Sequence, residues 1–250
     1  MMLRLLVRVA VRALSPSLLA LGTLALAPAS VQAGFSVFET AIGATESSGL
    51  AVDAKVTFTT SADTIKVVLS NLEVGPISVA QNLSDLSFTL STGQSTASLT
   101  SGTGRERTVN NDKTFSDGST VAAGWVLSVV SGGQFHLDDL VGTGHAGPEH
   151  TILGDSNTAT KYTSANGSIA GNAAHNPFLH GDVTFLIHVA GVTENSKIGA
   201  ATFSFGTASG NNVIGHAVPE PSSLALLGLG LGTVGFIARR RGSKGATQTA

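Results

Sequence analysis

The chain has 250 residues, no cysteine and a formal net charge of −2. Without cysteine there is no disulfide framework, no thiolate metal site and no cysteine nucleophile. Charged residues make up 12% of the chain, about half the usual share, while Gly, Ser, Thr, Ala and Val dominate, a strand-and-turn profile that points to an all-β fold.

The first segment reads as an export signal. Arg4, Arg8 and Arg12 form a positive start, "SLLALGTLALA" an apolar centre, and "VQA" places small residues before Gly34. This predicts a signal peptide over residues 1–33, cut by signal peptidase between Ala33 and Gly34. Ser15, Pro16 and Pro28 keep the uninterrupted apolar run well below the roughly 20 residues of a spanning helix.

Seven Lys/Arg stand against fifteen Asp/Glu over residues 34–217, a net charge of −8. So acidic a middle repels nucleic acid and anionic surfaces, and no nucleic-acid partner is expected. Period-two alternation recurs along it. "KVTFTT" sets Val56 and Phe58 on one face, "DTIKVVLSN" does the same with Ile65, Val67 and Leu69, and "SAD" between them suits a hairpin turn. Leu86, Phe88 and Leu90 repeat the pattern, as do Val183, Phe185, Ile187 and Val189, and then Phe203 and Phe205. Trp125 opens the apolar run "WVLSVV". One-sided strands bury one face on another sheet, so the expected domain is an antiparallel β-sandwich, jelly-roll-like, over residues 34–207. The Gly- and Asn-rich residues 208–217 read as a flexible spacer.

Two stretches lack strand rhythm, residues 91–120 and 142–182, and read as long loops. All seven histidines fall between residues 136 and 216. The second stretch and its approach offer His136, Asp138, Asp139, His145, Glu149, His150, Asp155, His175, His180 and Asp182. A metal hydrolase needs three convergent ligands and a free carboxylate base, yet the spacing selects no triad, so no metal ligand and no cofactor is assigned. Asp138 and Asp139 with loop carbonyls form the better cation candidate, of the calcium type. His188 falls on the polar face of its strand. "GTASG" and "GSIAG" are not nucleophile elbows, and no catalytic residue is assigned. Arg105 and Arg107 offer a contact for an acidic polysaccharide.

The chain closes on "VPEPSSLALLGLGLGTVGFIARRR". Residues 224–238 carry no charge and suit a short transmembrane helix, with Arg239, Arg240 and Arg241 holding its end in the cytoplasm and residues 242–250 as a cytoplasmic tail. Pro219 and Pro221 stop the helix upstream and present Glu220 in an extended strip. Residues 218–241, with Val218, Pro219, Glu220 and Pro221 ahead of the apolar run and the arginines behind it, resemble the PEP-CTERM sorting signal. The resemblance is confined to this tail. It implies export across the inner membrane of a Gram-negative bacterium, recognition by an exosortase, removal of the tail, and delivery to the cell surface or extracellular polymer.

The expected function is therefore that of an exported, surface-sorted protein with a structural or adhesive, non-enzymatic role in the exopolysaccharide matrix. A glycan-binding, lectin-like module is the second reading and a metal-dependent hydrolase the third. Its expected partners are signal peptidase, the exosortase, the inner membrane before processing, and exopolysaccharide.

Overall fold

The structure is a computed structural model and describes residues 34–130, 133–140 and 147–219. The expected signal peptide, Ala33, the apolar segment 224–238, Glu220, Pro221, Arg239, Arg240, Arg241 and His145 lie outside the described residues. Among the described residues no helix is long and apolar enough to cross a membrane.

Twelve strands follow one another: β1 (Gly34–Thr40), β2 (Ala54–Ser61), β3 (Thr64–Asn71), β4 (Leu83–Leu90), β5 (Ser98–Val109), β6 (Phe115–Ala122), β7 (Val126–Val130), β8 (Gln134–Asp138), β9 (Ile152–Leu153), β10 (Phe178–His188), β11 (Ile198–Phe205) and β12 (Asn212–Val218). The β2–β3 hairpin has the expected partners, with Val56 opposite Leu69 and Phe58 opposite Val67. Asp63 turns the corner at φ 51, a left-handed conformation that Asp tolerates better than most residues.

The all-β expectation holds, but the architecture is a closed barrel rather than a jelly-roll sandwich. Pairing runs β10-β3-β2-β1-β12-β11-β4, and the two residues of β9 close the ring by pairing with both β10 and β4. The hairpin β5–β6 extends from β10, and β8–β7 from β4. Alternation gave no warning of closure, because a one-sided strand looks the same whether its apolar face meets a second sheet or the far wall of its own. The inward residues are those alternation selects: Val56, Phe58, Ile65, Val67, Leu69, Leu86, Phe88, Val183, Phe185, Ile187, Phe203 and Phe205 are all buried in one core.

Two expectations about irregular segments are corrected. Most of residues 91–120 is the β5–β6 hairpin, and most of the expected spacer, including Gly215, is strand β12, held between β1 and β11. Both strands hid for the same reason. Gly102 of β5 sits opposite Phe185, and a Cβ there would lie 2.8 Å from the Phe185 ring. Gly215 of β12 is pressed against Phe203, 2.9 Å from where its Cβ would be. At each site the neighbouring aromatic fills the volume, so the strand's inward position must be empty. Residues 142–182 are also no plain loop. They hold β9, a 3-10 turn at Gly147–His150, and a second, smaller core in which Tyr162, Ala165 and Ile169 pack with Val109, Leu153 and Phe178.

The strand directions fix the ends of the barrel. Val37 of β1 pairs antiparallel with Val218 of β12, and Gly34 lies opposite Thr60, next to the β2–β3 turn. The chain thus enters at Gly34 and leaves at Val218 on the same end. The segments after β1, after β3 and before β12 gather at the opposite end.

Candidate functional site

Three features could carry function: the exit of the chain after β12, a groove at the opposite end, and a cluster of ionisable groups on β4 and β8.

At the exit, Val218 is the last residue of β12 and Pro219 follows at once. Both are exposed. Pro219 has no N–H to add to the ladder, so pairing stops where the sorting triplet starts. No stretch of loose chain separates the barrel from Pro219.

At the opposite end a groove of about 460 Å³ runs between residues 46–48, 78–80 and 205–211. Its floor is organised by Glu46, which is buried. The Glu46 carboxylate accepts hydrogen bonds from the backbone N–H of Ser48 (2.8 Å) and Leu50 (2.9 Å), from the Ser48 hydroxyl, and from Asn211 Nδ2 (3.2 Å). Burial works to raise its pKa, but these donors favour the charged form and leave the carboxyl below its ordinary value. Serine, threonine and asparagine make up half of the remaining wall, and small or apolar residues such as Val79, Ala80 and Phe205 the other half.

On the third surface, register brings together residues distant in sequence. Asp85 of β4 stands directly opposite Asp138 of β8, with His136 two residues before Asp138 on the same face. One ligand atom from each of the three lies within 4.8 Å of the others. His136 Nε2 contacts Asp85 Oδ2 at 2.5 Å, and Leu140 N–H donates to Asp138 Oδ1 at 2.7 Å. Asp85 and Asp138 are 7% and 3% exposed. Asp85 Oδ1 has no hydrogen-bond partner. Burial pushes the Asp85 carboxyl up, against the lowering pull of His136. The hydrogen bond to Asp85 raises His136, against its own burial. Asp139, next in the chain, is fully buried with neither carboxylate oxygen bonded, and burial, then Asp138 and Glu149, push its carboxyl up to about 8.

The other sequence candidates scatter. His150 Nδ1 faces the Ala123 carbonyl at 3.0 Å, while its Nε2 lies 3.5 Å from Glu106. His180 lies 3.5 Å from Asp155, and Asp182 accepts from the Ser70 hydroxyl at 2.6 Å. His188 is exposed, as its strand alternation requires. Arg107 is not a surface contact. It is buried, with Nε and Nη2 on Asp117 at 2.5 and 3.0 Å, Nη1 on the Tyr162 hydroxyl at 3.1 Å, and its guanidinium 3.8 Å above the Phe115 ring. Trp125 is buried too, packing on Phe185 and donating its indole N–H to the His150 carbonyl at 3.0 Å, so it offers no stacking platform to a sugar. The spacing of the sequence singles out no close pair here, so His136-x-Asp138 goes unmarked, and its third member Asp85 is supplied only by strand pairing.

Residues 217–241 match the family model of the PEP-CTERM protein-sorting motif. The chain thus carries the sorting signal its tail resembles, and the motif implies export, membrane anchoring before sorting, and processing by an exosortase. No curated protein and no solved structure matches the chain.

Proposed function

We propose that the barrel is the mature cargo of this sorting signal and acts at the cell surface or in the extracellular polysaccharide matrix as a structural or adhesive part, without catalysis. The observation that carries this reading is the junction at Val218 and Pro219. The sorting motif starts where the last barrel strand ends, so removing the tail leaves a closed domain with few residues to spare. A net charge of −8 over residues 34–217 favours a hydrated, self-repelling particle in the polymer.

The test replaces Pro219, Glu220 and Pro221 together with alanine in a host that has the sorting enzyme. Export is expected to continue, while the variant stays in the membrane fraction at full tail mass and the parent protein is released at the mass of the trimmed barrel. If parent and variant share one fraction and both keep the tail, the reading is wrong.

A glycan-binding role is the second reading, favoured by the groove around Glu46. The hydroxyls and amides in its wall suit sugar hydroxyls, and it sits at the end of the barrel opposite Val218. Glycan-array binding abolished by Ser209→Tyr, which fills the groove, would favour it over a purely structural role.

A further inference from the structure

We infer that Asp85, His136 and Asp138 form a binding site for a divalent cation of the zinc or manganese class, which fastens the β7–β8 hairpin to the barrel wall. The role is structural and independent of sorting.

Strand pairing places two carboxylates directly opposite each other, an arrangement that costs stability when both are charged. Here both are also more than nine-tenths buried, which adds a desolvation cost. A His–Asp ion pair answers only part of this. It engages Asp85 Oδ2 and leaves Asp85 Oδ1 buried with no partner, and Asp138 still stands within 4.8 Å of both other groups. One doubly charged ion among the three would offset both carboxylates and give the orphaned oxygen a partner. Three ligands bonded at about 2.1 Å to one tetrahedral ion stand about 3.4 Å from one another, so atoms now as far as 4.8 Å apart close by up to about 1.4 Å and the 2.5 Å contact of His136 with Asp85 opens to admit it.

The donor set selects the class. An imidazole nitrogen beside two carboxylates suits zinc or manganese, whereas calcium and magnesium prefer oxygen alone. The position explains what the ion would do. β7 and β8 lie outside the closed ring and join it through the β4–β8 ladder. A cation shared between Asp85 on one side of that ladder and His136 and Asp138 on the other is a cross-strand staple.

The experiment strips the purified full-length protein with chelator and dialyses it separately against Zn²⁺, Mn²⁺ and Ca²⁺, followed by elemental analysis. About one equivalent of Zn²⁺ or Mn²⁺ is expected, with slower hydrogen exchange at Leu127, Val129 and Phe135. Asp138→Asn and His136→Gln are each expected to weaken binding roughly tenfold or more, while His180→Gln, which removes a separate His–Asp contact, leaves it unchanged. A measurement on the unmutated protein guards against variants that fail to fold: diethyl pyrocarbonate should label His136 in the stripped protein and not in the loaded one, with His188 labelled in both. Equal labelling of His136 with and without metal, folded variants that bind like the parent, or a preference for Ca²⁺ over Zn²⁺ and Mn²⁺ would each overturn the assignment.

Discussion

In the large core, Phe58 of β2 meets Phe88 of β4 with ring centroids 4.9 Å apart, and Phe88 stacks at 5.2 Å on Phe135 of the flanking strand β8, so three aromatic rings run in one row from the barrel into its β7–β8 extension. Around Tyr162 the arrangement is the reverse. A charged guanidinium lies on the Phe115 ring, ion-paired to Asp117 and bonded to the phenol, which in turn donates to the Gly154 carbonyl at 2.8 Å. The large core is held by burial, which is non-directional and tolerates substitution of one apolar group for another. The small core is held by contacts that must all be made at once, since each buried polar atom that loses its partner costs desolvation in full. It packs a long excursion between β9 and β10 against β5 without regular pairing to hold it.

The sharpest way to break this contrast is Phe88→Ala. Loss of the middle ring should cost about 3–5 kcal/mol in denaturant unfolding and lower the midpoint for the whole barrel. A global loss near 1 kcal/mol would mean that the ring is not tightly packed. Next in size is Arg107→Met, which leaves the Asp117 carboxylate without its main partner. We expect about 2–3 kcal/mol, below the roughly 3–5 of a fully buried pair because Asp117 keeps some water and a contact to Arg105. Its signature is faster hydrogen exchange around Leu153 and Ile169, with Phe58 and Phe88 amides nearly unaffected. Equal acceleration in both cores would show that they open as one.

Tyr162→Phe is expected to cost about 1–2 kcal/mol near neutral pH, since Arg107 Nη1 and the Gly154 carbonyl lose a partner. It also carries a pH signature. Burial, resisted by Arg107, pushes the Tyr162 phenol from its ordinary value of 10.0 up to about 12. The unfolded chain therefore gives up this proton first, and stability falls as pH rises from about 10 to about 12. In the phenylalanine variant that part of the alkaline loss should vanish from pH-dependent melting curves.

The smallest effect is expected at Glu46→Gln, in the groove. Because the folded Glu46 carboxyl lies below its ordinary value of 4.5, its contribution is complete above that value and is lost as pH falls through the lower folded value. Glutamine should flatten acid unfolding below about pH 4.5 and slightly lower stability at neutral pH. An unchanged acid limb would remove Glu46 from the account of the groove.

How much of this could be read from the sequence follows the same division. β2, β3, β4, β10 and β11 were legible because their inward positions are large and apolar at a period of two. β5 and β12 were not, because Gly102 and Gly215 surrender their volume to Phe185 and Phe203, residues on other strands. Arg107 read as a surface charge since nothing local announces Asp117 and Tyr162 as its partners. The sorting tail was legible, since a linear signal is recognised as sequence, and the family model matches residues 217–241. The Asp85–His136–Asp138 cluster was not legible: His136 and Asp138 stood in a roll of ten scattered candidates, and Asp85 joins them only across a ladder.

One consequence of the β1–β12 pairing concerns time rather than space. A chain exported from its N-terminus delivers β1 first and the strand that closes on it last, with almost the whole domain between them. Until Asn212 to Val218 have crossed, β1 has β2 on one side and an open edge on the other, and β11 is bare on the side β12 will occupy. In a chain delivered in that order, ring closure waits for β12, the strand next to Pro219. A chain stalled before Asn212 should remain open to protease, and one stalled after Val218 should resist it. In such a chain the sorting motif begins beside the strand whose arrival completes the barrel.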